Sequence, residues 1–211
     1  SVESAAHEVV LIDTENDGPA MRRKVVESDR GCFACNLPCG KFSRVKDGAV
    51  AGVCLVGPEY ETNCLLGSNC GISYMEAIVQ SNYLCDDLGL DVISAGNVIA
   101  FAMECYERGI LTREDVGGLD LRFGNYRAVH EMIRMIAHRR GIGNLLAEGV
   151  KAAAQAIGHN CSDFAIQGKG LEFPGYDPRG VTGMALQYAV SDRGACHRRA
   201  SPIRLERGMK R

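Results

Sequence analysis

The 211-residue chain lacks a dominant charge of either sign: 24 Lys and Arg stand against 26 Asp and Glu, giving a formal net charge of -2. The two signs are interspersed, so there is no basic stripe to neutralise a phosphate backbone and no acidic tail to recruit a cationic partner. Nucleic acid is therefore not expected as a partner. No apolar run approaches the roughly 20 residues needed to cross a bilayer, and residues 1–7 lack the charged-then-apolar pattern of an export signal. The expectation is a cytoplasmic protein without a membrane partner. The chain also lacks an internal repeat at solenoid periods and any low-complexity stretch. What remains, 46% hydrophobic residues, is enough to bury a core and build one large domain or two small ones.

Cysteine, by contrast, is plentiful: the chain has ten. In a cytosolic chain that count permits either disulfides or thiolate ligands, and spacing separates two groups. Cys54, Cys64, Cys70, Cys85, Cys105, Cys161 and Cys196 are scattered through apolar or Gly-rich text and read as thiols packed as small hydrophobes. Cys32, Cys35 and Cys39 instead crowd into one C-x-x-C-x-x-x-C-G run, whose short spacers let successive thiolates turn toward one centre. Compact runs of this kind, completed by one further Cys, ligate iron–sulfur clusters, whereas zinc sites more often use two separated knuckles or Cys/His pairs. No second knuckle exists here. A [4Fe-4S] cluster, a zinc site, and a structural or redox dithiol stay open on spacing alone, and Cys85 is the most tempting fourth thiolate although packing accounts for it equally.

The patterning predicts a mainly α protein: a multihelical domain with a Cys-rich loop region, followed by the start of a second helical domain. Residues 1–30 read as a loop and a short helix, and 31–71 as Gly- and Cys-rich coil with a strand or extended loop near 50–56. Apolar residues at three- and four-residue steps then predict a helix over about 92–108 closed by Gly109, and a second stripe from Val129 to Ala137 ending at Gly141. A third helix is expected to carry Leu145, Leu146, Val150, Ala153 and Ile157 on one face and to close at Gly158. Extended text at Phe164-Ala-Ile166 and Leu171-Glu-Phe173 precedes a helical run over about 182–189. The boundary is drawn at 165/166, giving a middle helical domain (1–165) and the beginning of a C-terminal domain (166–211).

Three loops carry candidate chemistry. Gly57-Pro58-Glu59-Tyr60-Glu61-Thr62 brings two carboxylates together; a buried Glu with a raised pKa exchanges a proton near neutral pH, while a solvated or capping Glu is the bland alternative. Asp86-Asp87-Leu88-Gly89-Leu90-Asp91 reads as a tight turn between helices, with Gly89 free to take positive φ and Asp91 placed to cap the next helix; the same carboxylates would suit a ring rich in N–H donors. His197, within Arg193-Gly194-Ala195-Cys196-His197-Arg198, is the best histidine for proton transfer, with a surface role equally open.

Read together, Gly31-Cys-Phe-Ala-Cys-Asn-Leu-Pro-Cys-Gly40, Gly57-Pro-Glu-Tyr-Glu-Thr62, Asp86 to Asp91 leading into Ser94-Ala-Gly96, Glu172-Phe-Pro-Gly-Tyr-Asp-Pro-Arg-Gly180 and Ser191-Asp-Arg-Gly-Ala-Cys-His-Arg198 occur in the order found in the aldehyde ferredoxin oxidoreductase family. The chain resembles that family from about residue 31 to 200. The resemblance implies oxidation of an aldehyde to a carboxylate at a tungsten (or molybdenum) bis-pterin, with electrons leaving through a [4Fe-4S] cluster to ferredoxin. It implies Cys32, Cys35 and Cys39 as cluster ligands, Asp86, Gly89, Leu90 and Asp91 as lining for one pterin, and Glu61 and His197 as proton donors or acceptors near the metal. Family members look like three-domain proteins, with a β-rich domain ahead of this text and a D-x-x-G-L-C ligand motif behind it. The expected partners are then those missing domains, ferredoxin and the aldehyde, with exposed apolar surface favouring a homo-oligomer and the isolated chain expected to be inactive. A stand-alone iron–sulfur electron-transfer module, or a relative acting on another carbonyl or a thioester, is the alternative.

Overall fold

The computed structural model describes residues 17–200 together with 202, 203 and 206; expectations for the first sixteen residues and for most of the last eleven lie outside the described residues. Helix α1 (Gly18–Lys24) starts where Asp17 Oδ1 accepts from Ala20 N at 2.7 Å and Pro19 presets the first turn. Strands β1 (Val26–Arg30), β2 (Gly40–Arg44) and β3 (Cys54–Val56) follow as an antiparallel meander. Its inner side closes a small cluster of Met21, Val25, Val45 and Leu55 over Met75 and Val79. This sheet was not expected in text read as coil: the strands are short, and Gly and Cys on either side mask their alternation.

The main body is helical. Short turns at Tyr60–Thr62 (α2), Asn63–Gly67 and Ser68–Cys70 lead into α3 (Met75–Leu88) and α4 (Val92–Glu107), which bend 117° from one another. The bend falls at Gly89, whose φ of 72° closes α3, and Asp91, whose side chain accepts from Ser94 N to start α4. Helix α4 is apolar nearly all round because it runs through the centre, with Val98, Ile99, Phe101, Ala102 and Met103 all buried. Helix α5 (Tyr126–Ala137) lies against α3 with one face, burying Val129, Met132, Ile133 and Ile136 at helical spacing. Each such fully buried aliphatic side chain contributes about 1.5–3 kcal/mol. Among the described residues no single helix is long and apolar enough to cross a membrane.

The single helix expected over about 145–157 is two, α6 (Ile142–Leu146) and α7 (Val150–Ile157). The break falls at Gly149, whose φ of 88° leaves the helical path, and the buried Glu172 carboxylate accepts from Val150 N at 2.7 Å where the next helix starts. After α7 a two-stranded ribbon, β4 (Gln167–Gly168) with β5 (Leu171–Glu172), and helix α8 (Thr182–Val190) complete the described fold. Phe173 is tied to α4 by Asn97 Nδ2, which donates to its carbonyl at 2.9 Å. A mainly α architecture is thus observed, with a three-stranded sheet between α1 and the main helical body.

Candidate active site

The loop 57–62 does not run extended. After Pro58 it winds into α2, and Glu59, exposed, precedes the helix while Glu61 turns inward. Two oxygens of Glu61 have different fates. Oε2 accepts from Gly175 N at 2.7 Å, across 114 residues of sequence. Oε1 is buried without a hydrogen-bond partner among the described residues and lies 3.7 Å from Nε2 of His197. The pair is largely hidden, with 12% of the Glu61 and 19% of the His197 side chain exposed, so little water competes for a proton there.

Asp91 completes a triangle of charge around this pair. Burial raises the Glu61 carboxyl above its ordinary value, the Gly175 N–H opposes that rise, and Asp91 reinforces it. Burial also lowers His197, helped by Arg198 and Arg193 and opposed by Asp91. Both shifts favour the uncharged forms, so the carboxyl and the imidazole beside it are each biased toward holding or taking a proton in the neutral state. Glu61 and His197, singled out on separate loops, therefore meet in space, and Asp91, from a third, is near enough to act on both electrostatically.

Aromatic rings wall this corner. Tyr60 stacks on Tyr176 with centroids 4.9 Å apart, Tyr176 lies 5.6 Å from the His197 ring, and Tyr60 OH donates to Gly175 O at 2.7 Å. Sequence reasoning assigned neither tyrosine a role although each stands beside a residue of interest. It also missed Glu172, for which the sequence carries no signal: between Leu171 and Phe173 in an extended run, alternation would turn the carboxylate to solvent, and only the fold buries it.

The turn 86–91 divides. Leu90 and Asp91 line a pocket of about 270 Å3, shared with Ser94, Glu148, Gly149 and Glu172. Asp86 instead accepts from Asn82 Nδ2 at 2.8 Å, and Asn82 Oδ1 in turn accepts from Thr62 Oγ1 at 3.0 Å, so this carboxylate braces α3 against the loop that carries Glu61. Gly89 is exposed and supplies the left-handed residue of the turn.

Cys32, Cys35 and Cys39 occupy one exposed loop at the tip of the β1–β2 hairpin, all as free thiols. The loop is folded on itself: Cys35 N donates to Cys32 O at 3.0 Å and Cys39 N to Leu37 O at 2.9 Å. Phe33 and Leu37 project outward beside them, Phe33 fully exposed. As placed, no three His, Cys, Asp or Glu side chains among the described residues are gathered closely enough to hold a metal ion. The donor set itself, three accessible soft thiols within eight residues, fits an iron–sulfur centre that draws them together. Cys85 is fully buried in the helical core, its thiol pushed up to about 12 by burial with Asp86 and Asp91 adding to the rise, so it packs rather than faces the loop.

Comparison with known proteins places these features in a family. The family model described as aldehyde ferredoxin oxidoreductase, domains 2 & 3, matches residues 6–211. A tungsten-containing aldehyde ferredoxin oxidoreductase of Thermococcus kodakarensis is 41% identical over 184 residues, covering 87% of this chain and 29% of that protein. The WOR-like subunit of an aliphatic sulfonate oxidoreductase of Pyrococcus furiosus is 37% identical over 171 residues, covering 78% of this chain and 27% of that protein. Among solved structures, the active-site complex BamBC of benzoyl coenzyme A reductase, in complex with 1,5-dienoyl-CoA, superposes with a TM-score of 0.66 at 25% identity, over 83% of this chain and 26% of that one. The chain thus spans less than a third of the length of the curated relatives it matches.

Proposed function

The chain belongs to the aldehyde ferredoxin oxidoreductase family, and from that premise we propose that it forms part of a cytoplasmic tungsten-dependent oxidoreductase that converts an aldehyde to a carboxylate. The observation that carries the proposal is the approach of Glu61 and His197, from distant segments, through a buried carboxylate oxygen with no hydrogen-bond partner among the described residues, with Asp91 acting on both electrostatically. Oxidation of an aldehyde with water releases protons as well as two electrons. A shielded acid–base pair, its carboxyl shifted up and its imidazole shifted down, is what the proton half of that reaction needs.

In this reading a tungsten (or molybdenum) bis-pterin, when bound, accepts the two electrons, and the protein supplies everything else. Asp91 and Leu90 line the pocket that would take one pterin edge, the Asp91 carboxylate accepting from ring N–H groups. Gly89 sets the turn that presents them, and Asp86 holds that turn against the Glu61 loop. His197 Nε2 takes a proton from the reacting water or hydrated aldehyde, and Glu61 Oε1 stands next in line to receive or return it. Tyr60 and Tyr176 exclude water from that path. Cys32, Cys35 and Cys39 would hold three corners of a [4Fe-4S] cluster that passes electrons to ferredoxin, with the fourth ligand from outside this text. Residues 166–211 would open the last domain of the assembled enzyme, whose other domains are the principal partners; apart from them the chain would be inactive and inclined to self-associate. A relative acting on another carbonyl or a thioester is the second reading, favoured by the fold shared with an enzyme complex seen with a dienoyl thioester.

The test is the whole enzyme, purified without oxygen, assayed for aldehyde-dependent reduction of ferredoxin or a viologen dye. Glu61→Gln and His197→Gln should each lower kcat by about 10²–10⁴-fold while tungsten and iron content, measured by mass spectrometry, stay at wild-type levels. Full activity in both variants would sink the assignment, and so would an enzyme without tungsten or molybdenum.

A further inference from the structure

Glu172 sits in the midst of this architecture without a part in the proton path. It is 4% exposed, the only carboxylate among the described residues so deeply buried, and both its oxygens are used. Oε1 accepts from Val150 N at 2.7 Å, at the first turn of α7, and Oε2 accepts from Ser94 Oγ at 2.8 Å, in the first turn of α4. Ser94 is the residue whose backbone N–H donates to Asp91 Oδ2 at 2.8 Å. One serine thus joins the buried carboxylate to the site carboxylate.

The other end of Glu172 leads to the same place by the main chain. Phe173 O accepts from Asn97 on α4, and Gly175 N is the donor that holds Glu61 Oε2. A buried charge of this kind costs several kcal/mol of desolvation unless each oxygen is satisfied, so the two bonds are held firmly and their geometry is passed on. Gly149 shows how tightly: a Cβ there would lie 2.9 Å from Glu172 Oε1.

We infer that Glu172 is a positioning residue for the candidate active site, clamping Ser94 on α4 and Val150 on α7 so that Asp91 on one side and Gly175-bound Glu61 on the other stay in register with His197. The inference rests on the site proposed above for its purpose, and on the hydrogen bonds alone for its geometry.

Two readouts test it and neither depends on the presence of a cofactor, so loss of the tungsten reading and loss of this one are separable. Isotope-labelled histidine reports the His197 titration by NMR, assigned with His197→Gln. The groups that face the imidazole are Glu61, Asp91, Tyr176, Arg193 and Arg198. Glu172→Ala should lower the His197 midpoint by roughly half a unit, as the attraction of Asp91 weakens, and should speed hydrogen exchange of the Gly175 amide about tenfold or more. Ser94→Ala, which leaves the carboxylate in place, should reproduce part of the midpoint shift, and Glu172→Gln, able to accept from Val150 and donate to Ser94, should restore most of it. His130, buried with its ring 3.0 Å from Ala77 O, reports separately that the helical core is intact. Wild-type values for His197 and Gly175 in Glu172→Ala with an unchanged His130 signal would overturn the inference; if Glu172→Ala does not fold, an unshifted His197 in Ser94→Ala does so alone.

Discussion

Replacing Gly96 by alanine tests how closely the two halves of the site are pressed together. Gly96 lies on α4 five residues after Asp91, where the helix crosses the backbone of Leu65. A Cβ at this position would stand 2.6 Å from both the carbonyl carbon and the carbonyl oxygen of Leu65, against an ordinary contact of 3.4 Å or more. The obstacle is main chain, so the segment that carries Glu61 and the helix that carries Asp91 must separate by about 0.8 Å, the shortfall between those two distances. Overpacking of this kind costs about 1–3 kcal/mol, and the better helix propensity of alanine returns up to about 1 kcal/mol. The net loss expected is about 1–2 kcal/mol, or a Tm lower by roughly 3–6 °C for a chain of this size. Urea and thermal unfolding followed by circular dichroism measure it. Gly18→Ala, where nothing lies within 4 Å of the added carbon, is the control and should leave stability unchanged or slightly raised. In the assembled enzyme the same separation should cut the rate by up to about 10²-fold, the usual consequence of a misplacement near 1 Å. A Gly96→Ala chain as stable as wild type would refute the close contact and the argument built on it.

Two further outcomes follow from the site and the thiols. Glu61 has a folded pKa raised above its unfolded value, first by burial and then by Asp91; its neutral form is therefore favoured, stability from it is complete below the unfolded value near 4.5 and is lost as pH rises through the folded value. Glu61→Gln should accordingly gain stability relative to wild type as pH climbs from the unfolded carboxyl value through the raised folded one, and urea midpoints that keep a constant difference across that interval would contradict the burial argument. Iodoacetamide under native, oxygen-free conditions should label Cys32, Cys35 and Cys39 first, while Cys70, Cys85, Cys105 and Cys161, all fully buried, stay silent until the chain unfolds. Peptide mass spectrometry reads the order, and early labelling of Cys85 would show that it is not part of the core.

Much of this was legible in residue order because it is local. The stripes of α4 and α5 and the positive-φ turn at Gly89 followed by the Asp91 cap depend on neighbours within a few positions, so periodicity and turn chemistry suffice to find them. Asp91 was read as a cap and as a site residue, and the fold shows the cap on Ser94 N with the same residue lining a pocket. The three cysteines likewise announced one loop by spacing alone.

What only the tertiary structure decided depends on groups far apart in the chain. The split between α6 and α7 falls at the positive-φ Gly149 and is capped by Glu172, 22 residues beyond Val150, a partner that no local window contains. The antiparallel sheet of residues 26–56 is held by cross-strand pairing that short Gly- and Cys-flanked strands do not advertise. The approach of Glu61 to His197 across more than a hundred residues, with one carboxylate oxygen held by Gly175 and the other without a hydrogen bond among the described residues, exists only once α4, β5 and α2 are packed. Propensity and periodicity are written in adjacent residues, whereas burial, pKa and proton geometry are properties of whatever the packed chain places next to a group.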